Sequence, residues 1–372
     1  MGNPEPLVSI VMAVQNEELY LEQCIDSILA QTYPNWELIA VNDHSKDRTL
    51  EILKTYAIRD PRIRVFNGRR HKLIPTLQEA YRHCKGTLIN RMDADDYMPD
   101  YKLEVLVKEW NKYGKGTIIT GATSHFVEKG EVGEGFKRYD RWLNDVIRRN
   151  AHYEEIYQEC VIPSHCWIIH REDFHTVGAF DPEVYPEDYD LCFRFYRKGL
   201  KVVGIDKILH YWRDHPVRIS RTWDCYQDNR YFELKLQYFY EIDRDIDRPL
   251  VLWGAGKNGK DLVKLLLEKE NFQISDPASM GEGSPFSQEV PLSPAVGGNP
   301  GAERKSIFWV CDNRKKIGKE IYGIQLEHYK IVPDLDSPQI LIVVNSPEER
   351  TNIRKKLQLW NKQPVKDFWF FT

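Results

Sequence analysis

The run Arg91-Met92-Asp93-Ala94-Asp95-Asp96 sets three carboxylates within four residues. Carboxylates that close repel one another, and a divalent cation relieves the repulsion. Hard oxygen ligands suit Mg²⁺ or Mn²⁺. An Asp-x-Asp turn at the end of a strand therefore suits a metal that grips a diphosphate; the plain alternative is a solvated acidic loop. A second acidic set, Glu187-Asp188-Tyr189-Asp190, has two chemical readings. Crowded carboxylates raise one another's pKa toward useful basicity. Acids also gather at a helix N-terminus, where the dipole favours them.

The elements that must carry these residues alternate. Leu7 to Val14 is a continuous apolar run of the kind found in a buried strand, and Asn16-Glu17-Glu18 opens a helix with the stripe Leu21, Ile25, Ile28 and Leu29. Trp36–Val41 is the next strand, followed by a helix capped within Ser45–Thr49; Ile63–Phe66, Leu77–Cys84 and Thr87–Arg91 give strand, helix and strand. Such alternation predicts a mostly parallel α/β sheet with ligands at the strands' carboxyl ends. Val14–Asn16, Asn42-Asp43 and Asp93–Asp95 all fall at such ends. Further on, Thr117–Thr120 and Trp167–His170 are expected strands, and Asn144–Gln158 and a segment within Val184–Gly199 expected helices.

A long helix, about 223–241, closes the first domain, which is expected to span 1–247. A second domain, 248–372, restarts the alternation at Leu250–Trp253. Gly254-Ala255-Gly256-Lys257-Asn258-Gly259 is a G-x-G-x-x-G turn that opens a helix. The stretch of about 272–305 is rich in Gly, Ser, Pro and Glu without periodicity and is expected to be a disordered insertion. Ser306–Cys311 resumes the strand pattern and ends at Asp312, where a ribose-binding acid would stand.

Composition narrows the partners. The 372 residues carry a net charge of −4, which gives no global electrostatic case for nucleic acid or an anionic membrane. The local cluster Arg69, Arg70, His71 and Lys72 fits a solvated face, although Arg70 and Lys72 also suit contact with a diphosphate. The seven cysteines contain no C-x-x-C pair, a pattern of free thiols in a reducing compartment. Met1–Pro6 is polar and no apolar run approaches a membrane span, so the expected location is the cytoplasm, with peripheral membrane contact the only membrane contact left open.

Taken in order, Val8–Asn16, Asn42-Asp43-His44-Ser45, Arg91–Asp96, Gly178-Ala179-Phe180-Asp181, Glu187–Leu191 and Tyr211-Trp212-Arg213-Asp214-His215 resemble the motifs of family 2 inverting glycosyltransferases. The resemblance covers about residues 7–220. It implies a GT-A nucleotide-diphospho-sugar transferase domain, a nucleotide-sugar donor and a Mn²⁺ or Mg²⁺ cofactor. It also implies roles. Asp43 contacts uracil. Asp95 ligates the metal directly, and Asp93, counted with it among the metal ligands, lies nearer the ribose or a metal-bound water. His215 is a further metal or diphosphate contact. Asp188 is the catalytic base. Val14, Asn16, Glu17 and Lys72 belong to the nucleotide-sugar site, while Glu187, Trp212 and Arg213 are candidate acceptor contacts. Gln15 departs from the family, many of whose members have an aromatic residue near this loop. Aromatic faces bind sugars, so His165 and Trp167 also enter as acceptor-site candidates, core packing being the better reading of Trp167.

The second domain resembles the Rossmann-like domains appended to sugar-modifying enzymes, with Gly254, Gly256 and Gly259 as candidate phosphate contacts. In domain order the whole chain also resembles, more distantly, the β-1,3-N-acetylglucosaminyltransferase-like family, which includes the queuosine-tRNA galactosyltransferase. The expected activity is therefore metal-dependent inverting transfer from a UDP-sugar to a glycan or glycolipid. A galactosyl transfer to queuosine in tRNA is the alternative within the class. A non-catalytic nucleotide-sugar sensor and an oxidoreductase centred on the glycine turn are the rivals outside it; the second domain has no convincing catalytic His, Tyr or Lys pairing for the latter.

Overall fold

The computed structural model describes residues 5–223, 231–272 and 307–372. The chain divides into two compact units, Met1–Asn229 and Arg230–Thr372.

The first unit is built on β1 (Val8–Val14), β2 (Trp36–Asn42), β3 (Ile63–Asn67), β4 (Leu88–Arg91), β5 (Thr117–Phe126), β6 (Trp167–His170) and β7 (Lys201–Arg213). They form one sheet in the order β3-β2-β1-β4-β6-β5-β7. The first four strands are mutually parallel, β6 runs antiparallel to both its neighbours, and β5 pairs parallel with β7. Helices α1 (Leu21–Leu29), α2 (Thr49–Arg59), α3 (Leu73–Arg82), α4 (Lys102–Tyr113), α5 (Glu134–Arg149), α6 (Arg171–Thr176), α7 (Glu187–Lys198) and α8 (Ile219–Thr222) complete it. Strands β1, β2 and β4 are buried almost throughout, as their unbroken apolar composition requires of strands covered on both faces. Leu21, Cys24, Ile25 and Ile28 of α1 pack into the same core as Ile10, Met12, Leu38 and Leu88. This is the expected α/β architecture with a mostly parallel sheet.

Two details of the expected pattern change. Asn16 takes a left-handed conformation (φ 55°), so residues 16–20 form turns and α1 begins only at Leu21. The helix expected over 144–158 is instead α5, which starts at Glu134. It ends at Asn150, left-handed at φ 53°, whose N–H closes on the Val146 and Ile147 carbonyls.

The second unit has β8 (Leu250–Trp253), β9 (Ile307–Cys311), β10 (Glu320–Ile321), β11 (Ile324–His328), β12 (Gln339–Ile342) and β13 (Phe368–Phe370), in the order β10-β11-β9-β8-β12-β13. All pairings are parallel except β10–β11. Helices α9 (Phe232–Tyr238), α10 (Lys257–Phe272) and α11 (Pro347–Leu359) belong to it. Within the helix expected over 223–241, α9 runs on into a π-helical turn, Phe239–Asp243, and residues 224–230 lie outside the described residues. This segment was expected in the first domain, but it packs in the second unit: Lys235 Nζ donates to the Phe371 carbonyl and Gln339 Nε2 to that of Asp243. The expected insertion of 272–305 falls, but for its first residue, outside the described residues. No helix among the described residues is long and apolar enough to cross a membrane.

Candidate active site

Parallel pairing brings the ends of β1, β2 and β4 to one rim of the first sheet, with Val14 beside Asn42 and Val11 beside Arg91. The loops after β1 and β2 are tied to each other. The Asp43 N–H donates to the Val14 carbonyl at 2.7 Å, the Asn16 N–H to Ser45 Oγ, the Lys46 N–H to Asn16 Oδ1 and the Glu17 N–H to Thr49 Oγ1. Asn16 is thus a brace of the rim. Gln15 Nε2 donates to the Asp43 carbonyl, which fixes its side chain across the same loop. The buried Asp43 carboxylate meets His71 Nδ1 at 2.8 Å and His44 Nδ1 at 3.1 Å, and accepts the Lys72 N–H at 3.0 Å. His71, assigned from sequence to a solvated cluster, is therefore an Asp43 partner. Lys72 contributes through its backbone, at φ 106°, and its side chain is exposed. Arg70 instead pairs with Glu183 at 2.6 Å.

The acidic turn follows β4. Arg91 Nε donates to Asp93 Oδ1 at 2.8 Å, and its other arm to Glu187 Oε1 at 2.9 Å. Ser164 Oγ and His165 Nδ1 approach the second Asp93 oxygen at 3.4 and 3.5 Å. Burial opposes ionisation of Asp93, but Arg91 and His165 outweigh it and hold the carboxyl well below its usual range. Both Asp93 oxygens thus face protein donors, a setting that suits a fixed anion better than the metal ligand assigned from sequence. Asp95 differs: its Oδ2 lies 3.0 Å from His215 Nε2.

Behind the turn sits a buried network. Asp96 accepts the Arg213 N–H at 2.7 Å and lies 2.9 Å from His210 Nε2. His210 stacks on His165 at 3.7 Å, and Lys102 Nζ donates to the His165 carbonyl. Burial, then Asp95 and Asp93, push the Asp96 carboxyl well up; burial lowers the pKa of His210 and of Lys102. Because β6 is antiparallel to β4, the residues that precede it, Ser164 and His165, arrive at the rim. His165 is fully buried and Trp167 nearly so, which places both in the core.

Arg213, a candidate acceptor contact from sequence, is also fully buried. Its guanidinium donates to the Asp95 carbonyl, Glu128 and Gln23 and lies over the rings of Tyr20 and Phe126. It is a brace under the turn, with no free face for an acceptor. Trp212 is half-buried, stacked on His125 at 4.6 Å with the Arg218 guanidinium 4.4 Å from its ring.

Glu187 and Asp188 open α7. Asp188 Oδ1 accepts the Tyr189 N–H, and Glu187 is held by Arg91. Burial first, and Glu187 second, push the Asp188 carboxyl up to about 7, with Arg91 opposing. Asp190, the third acid of the set, is paired with Arg194 at 2.7 Å. Asp188 is thus a carboxylate poised near neutrality at the start of a rigid helix.

The residues fit a divalent cation. Asp95 Oδ2 and His215 Nε2 stand about as far apart as neighbouring ligands of an octahedral ion at ~2.1 Å. The buried His215 Nδ1 has no hydrogen-bond partner among the described residues. Burial first, then Asp95 and Asp47, raise Glu17 to about 9, a shift that a cation beside these acids would oppose. Among the described residues two other groups have ligand spacing, Asp43–His44–His71 and Asp96–His165–His210. In the latter the Lys102 ammonium, 3.2 Å from His210, occupies the cation's electrostatic place.

The family model "Glycosyl transferase family 2" matches residues 9–178. A Bacillus subtilis glycosyltransferase, EpsJ, is 29% identical over 57% of this chain and 62% of its own length. A glycosyltransferase of Haemophilus influenzae is 28% identical over 71% of this chain and 85% of its own. The chain thus spans less than two thirds of EpsJ's length. The crystal structure of Staphylococcus aureus TarS 1–349 in complex with UDP-GlcNAc aligns with 71% of this chain and 73% of its own, at 15% identity and a TM-score of 0.49. With the ends of β1, β2 and β4 on one rim inside the matched region, residues 9–178 carry a glycosyl transferase family 2 domain.

Proposed function

We propose that the first unit transfers a sugar from a UDP-sugar to a hydroxyl of a glycan or glycolipid, inverting the anomeric centre. The observation that carries this reading is Arg91, whose guanidinium joins Asp93 of the acidic turn to Glu187 beside Asp188. It ties the donor-binding side of the rim to the helix that holds the base. Asp43, an anionic acceptor deep in the rim, suits a base with a ring N–H, as uracil has and adenine and cytosine lack. Asp95 and His215 would hold Mg²⁺ or Mn²⁺, which when bound neutralises the charge that develops on the leaving diphosphate. Asp188 accepts the acceptor hydroxyl's proton as the new bond forms. Asp93 stays ionised and fixed between Arg91 and His165, available to a sugar or ribose hydroxyl. A binding protein without catalysis would have no need of a carboxylate raised toward pH 7 beside the donor rim.

The test is a screen of nucleotide-sugars for slow hydrolysis with Mn²⁺, because hydrolysis reports the donor without an acceptor. UDP-sugars should be cleaved, and EDTA should abolish cleavage. Cleavage undiminished by EDTA would remove the metal from the account. Glycolipid and tRNA offered with the preferred donor then separate the two acceptor classes.

A further inference from the structure

The second unit has a cavity that the transfer reaction leaves unused. It measures about 400 Å³ and lies at the carboxyl ends of β8, β9 and β12, within the usual range of small-molecule sites. In the strand order, β9 lies on one side of β8 and β12 on the other, so the chain switches direction across the sheet at this point. Open parallel sheets hold ligands at such a switch.

The three glycines of the turn divide their work. A Cβ on Gly254, at φ 134°, would lie 2.6 Å from the Val343 carbonyl oxygen, and one on Gly259 would lie 2.0 Å from that of Gly254. Both are required by packing. Gly256 is not: its φ is ordinary, and a Cβ there meets nothing within 4 Å. The space it leaves open belongs to the cavity it lines.

Charge separates the two helices that begin there. The first turn of α11 carries Glu348 and Glu349, and Ser346 caps it. The first turn of α10 carries no acid; it begins Lys257-Asn258-Gly259-Lys260. Its free N–H groups and dipole favour an anion. Lys316 stands beside the turn, donating to the Ala255 carbonyl at 2.6 Å. On the β9 side, Asp312 is exposed, lines the cavity and makes no hydrogen bond or ion pair among the described residues. A carboxylate there can accept from the paired hydroxyls of a ribose.

We propose that this cavity binds a ribonucleotide, its 5′-diphosphate on the Gly256 turn and α10 N-terminus and its ribose hydroxyls on Asp312. The site is separate from the donor rim and does not rest on the transfer reaction.

The experiment is calorimetric titration of the full chain with ADP, UDP, NAD⁺ and inorganic phosphate in EDTA, which silences a metal-dependent donor site. At least one nucleotide should bind with Kd below about 1 mM. Gly256→Asp places a carboxylate in open space at a helix N-terminus, so it should leave the melting temperature unchanged or higher while weakening nucleotide binding at least about tenfold. Asp312→Ala should weaken the nucleotides and spare phosphate. Failure of every nucleotide to bind at about 1 mM overturns the proposal, as does binding indifferent to both substitutions. Loss of donor hydrolysis in Mn²⁺ would count against the first unit's reading instead.

Discussion

At the scale of single residues, the proposed chemistry turns on Asp188 and Arg91. Asp188 must be ionised to accept a proton, and burial has moved its titration to about 7. A raised carboxyl is protonated below that value, so kcat/KM should fall about tenfold per pH unit on the acid side of an apparent pKa near 7. A profile flat down to pH 5 would mean that Asp188 is not the base. Arg91 compensates one buried acid, Glu187, and one half-buried acid, Asp93. Arg91→Leu leaves both charges without their partner and should cost about 3–5 kcal/mol of stability in urea unfolding. A loss below about 1 kcal/mol would show that Asp93 and Glu187 find other partners. The acids were legible as a motif, because their types and spacing imply a cation. Arg91's second partner was not: it lies 96 positions away and only the fold brings it near. The same holds for the Lys102–His210–Asp96 network and for His71 on Asp43.

At the scale of elements, the strands that were readable are those buried on both faces. Val8–Val14 and Trp36–Asn42 announce themselves by unbroken apolar composition. The edge strand β7, thirteen residues long, escaped notice because Gly204, Asp206 and Lys207 interrupt its pattern; its register with β5 also shifts near Gly121–Thr123. That strand carries Trp212 and Arg213 and leads to His215, so its omission explains why Arg213's burial was unforeseen. The glycine turn gives a sharper elemental test. Gly259→Ala must push α10 away from β8 and should destabilise the second unit by about 1–3 kcal/mol, whereas Gly256→Ala should change it by less than about 0.5. Equal effects in thermal unfolding would refute the division of roles among these glycines.

At the scale of the molecule, the six motifs that resemble the family's all lie in one unit, and its sheet brings the three that end β1, β2 and β4 to one rim. Chain order alone indicated this, since parallel strands point their carboxyl ends the same way. The antiparallel β6, which brings His165 and Ser164 to the rim from the opposite direction, was beyond that argument. The central claim is that this rim performs base-assisted sugar transfer. The most direct measurement is kcat of Asp188→Asn at saturating donor and acceptor, where donor binding no longer limits the rate. A positioned base predicts a fall of about 10²–10⁴; a kcat within a few-fold of the unsubstituted enzyme would contradict the account.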